Sequence, residues 1–136
     1  MEPGSGSTIM GYAGITGATN DVQSNSDPYF HAISIQQVTN YVKTTTCQTT
    51  VITNNAIPTA NAGADFTIPK GTPFMLTGSA TDANNDALTF TWEQMNTGTS
   101  TSTIPSATRT TGPAFRSFGP SSSPSRSFPR LSTVQS

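Results

Sequence analysis

The hydrophobic positions change texture twice along the chain. Residues 1–27 have no clear period. GSGS, GYAG, TGATND and SNSD are turn sequences, and Asp27-Pro28 closes the run. In "YFHAISIQQVTNYVKTTTC", residues 29–47, Ile35, Val38 and Val42 recur at helical spacing with Tyr41 beside them. Ser34 followed by Gln37 has the capping-box spacing, in which side chains satisfy the free amides of a first turn. The spacing predicts a helix over 35–45, frayed by the β-branched Thr run at its end. Tyr29, Phe30 and Ile33 form an extended apolar lead-in.

Residues 48–57 are polar, uncharged and linker-like, and from 58 the period becomes two. Phe66 alternates with Ile68, Phe74 with Leu76, and Leu88 with Phe90 and Trp92. Turns at Pro69–Thr72 and Asp82–Asp86 separate the three predicted strands. Such strands suit a β-sandwich, but about seven are needed to close one. From about residue 95 the chain is Ser/Thr/Pro-rich and low in complexity, with Phe115, Phe118 and Phe128 scattered through it. That composition reads as an irregular insertion or as disorder. The expected class is mixed and mainly β, with three regions: 1–47, a linker at 48–57, and 58–136, whose tail begins near 95.

Composition sharpens this picture. Of 136 residues, 32% are hydrophobic and 10% charged, too few of either for a helical bundle, so any core is small. The first 94 residues hold all seven acidic side chains and two of the six basic ones, a net of −5. The remainder holds Arg109, Arg116, Arg126 and Arg130, a net of +4. These arginines are spread out, so no nucleic-acid partner is expected. No apolar run is long enough for a membrane span, and MEPGSGSTIM does not read as a signal peptide.

Few residues carry recognisable chemistry. The one histidine, His31, sits in an apolar lead-in without a second ligand four residues on, so it reads as structural rather than metal-binding. No G-x-S-x-G marks a nucleophile, and the early glycines lead into no G-K-[ST]. Asp82, Asn84 and Asp86 alternate like the start of a calcium loop, without its glycine or closing glutamate. A polar turn is the competing reading. The single cysteine, Cys47, is either a free thiol or half of a disulfide whose partner lies outside the chain.

Two stretches resemble known families. "STIMGYAG" resembles the Met-turn of the metzincin zinc endopeptidases, and "SDPYFHAISIQQVTNYVKTTTC" resembles the segment C-terminal to that turn in reprolysin-like members. Phe30, Ser34 and Cys47 match an extended Phe-to-Ser segment, the cap of the last catalytic-domain helix and the cysteine after it. The resemblance covers about residues 2–47. It implies that Met10 forms the apolar floor beneath a zinc site, a role suited to an adaptable thioether. In some branches a tyrosine two residues after the methionine reaches the zinc or stabilises the intermediate. Tyr12 holds that position, although reprolysins generally lack it, and a packed aromatic in the cleft wall is the alternative. The resemblance favours a disulfide for Cys47. The family's H-E-x-x-H-x-x-G-x-x-H lies upstream of the Met-turn and is absent here, so this chain is expected to be a fragment without catalytic zinc, inactive alone.

"PTANAGADFTIPKGTPFMLTGSATDANNDALTFTWEQ", about residues 58–94, resembles Ig-like modules of the PKD and REJ type, with Trp92 as the core tryptophan. It departs from them at Thr77, before Gly78, and in the Ser/Pro stretch after Gln94. The last strands are expected to be missing. The leading expectation is therefore a fragment of a secreted zinc endopeptidase, with zinc and a protein or peptide substrate belonging to the complete parent. The alternatives are a non-enzymatic extracellular adhesion or substrate-binding module, and a truncated reading frame with no function. Extracellular location is implied only by the resemblance.

Overall fold

A computed structural model describes residues 2–96, 104 and 111–130. Arg109 and most of the Ser/Thr-rich run 97–110 lie outside the described residues. The described chain is mostly coil, with one helix and two small antiparallel sheets, so the class is mixed with β pairing prominent. It divides into two compact units, residues 1–50 with 93–119, and residues 51–92 with 120–136.

The first unit contains the helix α1, Ala32–Val42. It starts three residues before the predicted position because His31, not Ser34, is its N-cap. His31 has an extended backbone, and its side chain accepts the Ile33 amide. Ser34 lies inside the first turn, its amide donating to the His31 carbonyl at 2.9 Å. The helix ends where Thr44 and Thr45 begin. Their hydroxyls donate to the carbonyls of Tyr41 and Val42 at 2.7 and 2.9 Å, beside the bonds those carbonyls accept from the Thr44 and Thr45 amides. No residue of α1 is buried, and Ile35, Val38, Tyr41 and Val42 are all exposed.

The rest of this unit is a set of turns. Among the described residues its buried side chains are Ser5, Ser7, Thr8, His31 and Ser117, together with two prolines. Buried hydroxyls need partners, and here carboxylates supply several of them.

The second unit holds four short strands. β1 (Thr59–Asn61) pairs with β3 (Ser79–Thr81), Ala60 opposite Ala80. β2 (Phe74–Thr77) pairs with β4 (Ser125–Phe128), Phe74 opposite Phe128 and Leu76 opposite Arg126. The Phe74 and Phe128 rings stack with centroids 5.0 Å apart, and the Arg126 guanidinium covers Phe128 at 4.5 Å. Phe128, at 7% exposure, is the one buried large hydrophobic side chain among the described residues. The Trp92 indole donates to the Pro124 carbonyl at 2.8 Å, and Arg126 donates to the Trp92 carbonyl.

Three strand expectations need correction. The Phe66–Ile68 stretch is not a strand, and Phe66 is 70% exposed. The Leu88–Trp92 stretch makes only an isolated bridge, in which Phe90 and Ser121 exchange amide bonds of 2.7 and 3.0 Å. The low-complexity tail is not wholly irregular, because it supplies β4. Ser125, Arg126 and Ser127 carry no apolar alternation, and it is Phe128, stacked on Phe74, that anchors the pairing.

Candidate functional site

The turn around Met10 is built from below by a carboxylate. Glu2 Oε1 accepts the amides of Ser7 and Thr8 at 2.8 and 3.1 Å, and Oε2 accepts the Thr8 hydroxyl at 2.6 Å. Successive amides aimed at one anion form a nest, and here the chain supplies its own anion. Gly6 makes room for it: a Cβ there would lie 3.0 Å from Glu2 Oε2, and its φ of +72° disfavours other residues. Above this base the Gly11 amide donates to the Thr8 carbonyl at 2.8 Å, placing Ile9 and Met10 at the tip of a tight turn. Tyr12 returns its amide to the Ser5 carbonyl at 2.7 Å. The Ile9 amide donates to the Tyr29 carbonyl at 3.0 Å, tying the turn to the lead-in of α1. Met10 is 60% and Tyr12 64% exposed.

A second carboxylate organises the next loop. Asp21 accepts the amides of Gly14, Thr16 and Gly17 at 3.1–3.2 Å and the Thr16 hydroxyl at 2.6 Å. The Thr16 hydroxyl above all, with these amides, holds its carboxyl below the usual carboxylate range.

Behind the Met10 turn lies a buried polar cluster that the sequence does not mark. Glu93 Oε1 accepts the Ser117 hydroxyl at 2.6 Å, and Oε2 accepts the Ala32 amide at 2.5 Å. His31 Nδ1 stands 3.7 Å from Glu93 Oε2 and accepts the Ile33 amide at 3.2 Å. Serine, histidine and a carboxylate thus meet, but in the wrong order for acyl transfer. A triad places imidazole between hydroxyl and carboxylate. Here the hydroxyl donates to the carboxylate, and the imidazole, 2% exposed, faces the backbone. The cluster clasps segments distant in sequence. Gln94 extends the clasp, accepting the amides of Ala114 and Phe115 at 2.8 and 3.0 Å. Nearby, burial pushes the Tyr29 phenol above its ordinary pKa, against a downward pull from the Ser117 and Ser7 hydroxyls, with the charges of Asp27 and Glu93 adding to the rise.

The remaining candidates stand apart. Cys47 is an exposed free thiol. In the turn of the second unit, Asp82 Oδ1 accepts the amides of Asn84 and Asp86 at 2.8 and 3.2 Å, and Asn84 Oδ1 accepts the Ala56 amide at 2.7 Å. The Asp82 oxygen thus forms an Asx turn, and the Asn84 oxygen ties that turn to the Ala56 backbone. Among the described residues, no three His, Cys, Asp or Glu side chains gather as a metal ion would require. The second unit also carries an open apolar groove of about 370 Å³, lined mainly by Phe66, Ile68, Phe74, Met75, Leu76 and Trp92. No helix among the described residues is long and apolar enough to cross a membrane.

Comparison with known proteins returns no match to a protein family, a curated protein or a solved structure.

Proposed function

We propose that this chain is part of a secreted zinc endopeptidase of the metzincin kind, with residues 1–47 its Met-turn and closing helix, and a PKD-like module after them. The observation that supports this most is the turn itself. Met10 stands exposed at the tip of a turn whose backbone is fixed from beneath by Glu2, as a floor under another layer would be. The exposed stripe Ile35, Val38 and Val42 on α1 agrees with a unit made to be covered. In this reading the metal ligands come from residues outside the chain, and the chain alone neither holds catalytic zinc nor cleaves peptides. Bound zinc would supply Lewis-acid activation of water and of the scissile carbonyl. Met10 would support that layer, and Cys47 would pair with a cysteine of the missing part.

The test is to read the native transcript upstream of the Met1 codon. An in-frame H-E-x-x-H-x-x-G-x-x-H is expected, and a stop codon immediately upstream would overturn the proposal. In the complete enzyme, Tyr12→Phe with unchanged peptide cleavage would assign Tyr12 to the cleft wall rather than to the chemistry.

A second reading, a non-enzymatic extracellular binding module, draws on the apolar groove of the second unit. Trp92, the only tryptophan, lines that groove and reports on it. Depletion of the chain by an insoluble protein such as fibrous collagen, accompanied by a shift in Trp92 emission, would support this reading. The absence of both effects would remove it.

A further inference from the structure

The first turn of α1 begins at a histidine with two incompatible partners. In neutral imidazole one ring nitrogen carries hydrogen and the other accepts. His31 Nδ1 accepts the Ile33 amide at 3.2 Å, which assigns the hydrogen to Nε2. The same Nδ1 lies 3.7 Å from Glu93 Oε2, and the two side chains are only 2% and 7% exposed. One lone pair therefore faces both a helix amide and a buried carboxylate.

We propose that His31 is a proton-operated helix cap: neutral, it holds the Ile33 amide; protonated at Nδ1, it releases that amide and pairs with Glu93. A solvent proton forms a bond to the Nδ1 lone pair, the one that had accepted the Ile33 hydrogen. The Ile33 amide then loses its acceptor, while the new N–H points toward a carboxylate already within ion-pair distance. Ala32 keeps its own bond to Glu93, so the helix loosens at one position rather than detaching. Histidine as a residue type is the side chain whose charge ordinarily changes between about pH 5 and 8. Glu93 is the ionisable group set against the imidazole. Glu93 also acts on the Tyr29 phenol, as does Asp27, and Arg116 lies 3.5 Å from Asp27. The consequence reaches the surface, because α1 carries the exposed Ile35, Val38 and Val42. The inference stands on the geometry of His31 and holds whichever functional reading is correct.

The test is a nuclear magnetic resonance titration of the full ¹⁵N-labelled chain from about pH 8 to about pH 5. The Ile33 amide is expected to move with the same midpoint as the His31 ring, and its solvent exchange, corrected for pH, to rise about threefold or more in the acid form. Ala32 should move less. In His31→Asn the side-chain oxygen caps without titrating, so Ile33 should stay protected throughout. In Glu93→Gln the Ile33 transition should shift to lower pH. An Ile33 amide that does not respond while the imidazole titrates, or that responds equally in His31→Asn, would overturn the proposal. Should Glu93→Gln fail to fold, the wild-type and His31→Asn titrations decide the matter.

Discussion

Among the described residues of the second unit the buried side chain is a phenylalanine. Phe128 stacks on Phe74, the Arg126 guanidinium lies over its ring, and short strands bring these groups together. In the first unit the buried side chains are Ser5, Ser7, Thr8, His31 and Ser117, while Ile9, Met10, Tyr12, Ile35 and Val38 face solvent. Burying one large apolar side chain is worth about 1.5–3 kcal/mol, whereas a typical internal hydrogen bond nets only about 1 kcal/mol. The first unit must therefore assemble many directed bonds to match what one aromatic pair contributes. Directed bonds also fix positions, and the first unit uses them to hold one turn and the start of one helix.

Substitutions that remove each unit's support test this contrast. The largest expected effect is Phe128→Ala, which should cost the second unit about 3–4 kcal/mol, read from Trp92 emission during denaturant unfolding. In the first unit, Gly14→Ala should rank next. A Cβ there would run into the Ser24 carbonyl oxygen, at a φ of +83°, so the backbone must shift. A loss of about 2–3 kcal/mol is expected, read from the amide signals of the first unit during denaturant unfolding. Glu2→Ala leaves the Ser7 and Thr8 amides and the buried Thr8 hydroxyl without their acceptor, and should cost about 2 kcal/mol. A Glu2→Ala protein as stable as the parent would break the contrast, since the polar interior would then contribute nothing measurable.

The smallest effect is local and depends on pH. Asp21 titrates below its unfolded value, so its stabilisation of the 14–17 loop is complete above the ordinary aspartate pKa of about 3.9. It is lost as the pH falls through the lowered native value. The amide shifts of Gly14, Thr16 and Gly17 should move together in that acid range and stay still above it. These bonds hold only the 14–17 loop, so global stability should barely register the change.

Legibility in the sequence followed the same divide. Apolar spacing revealed α1 through Ile35, Val38 and Val42, and β2 through Phe74 and Leu76. It missed β4, where serines and an arginine precede the one phenylalanine that matters. It also misplaced the helix start. Ser34 and Gln37 carry a local capping signal, whereas the observed cap is a histidine supported by Glu93, whose carboxylate reaches the Ala32 amide from 61 residues away. The clasp of Glu93, Ser117 and His31 has no local pattern at all, because its spacing is set by folding rather than by a helix or strand period. The turn around Met10 was legible as a turn from its glycines. The carboxylate that holds it, Glu2, gave no signal beyond its presence.

The most direct measurement of the central claim, that buried polar bonds rather than apolar packing hold the first unit, is residue-resolved hydrogen exchange on the intact chain. The amides of Ser7, Thr8 and Tyr12 are predicted to be the most protected in that unit, and those of Ile35–Val42 on the wholly unburied helix to exchange faster. The reverse order, a protected helix beside a freely exchanging turn, would contradict the account.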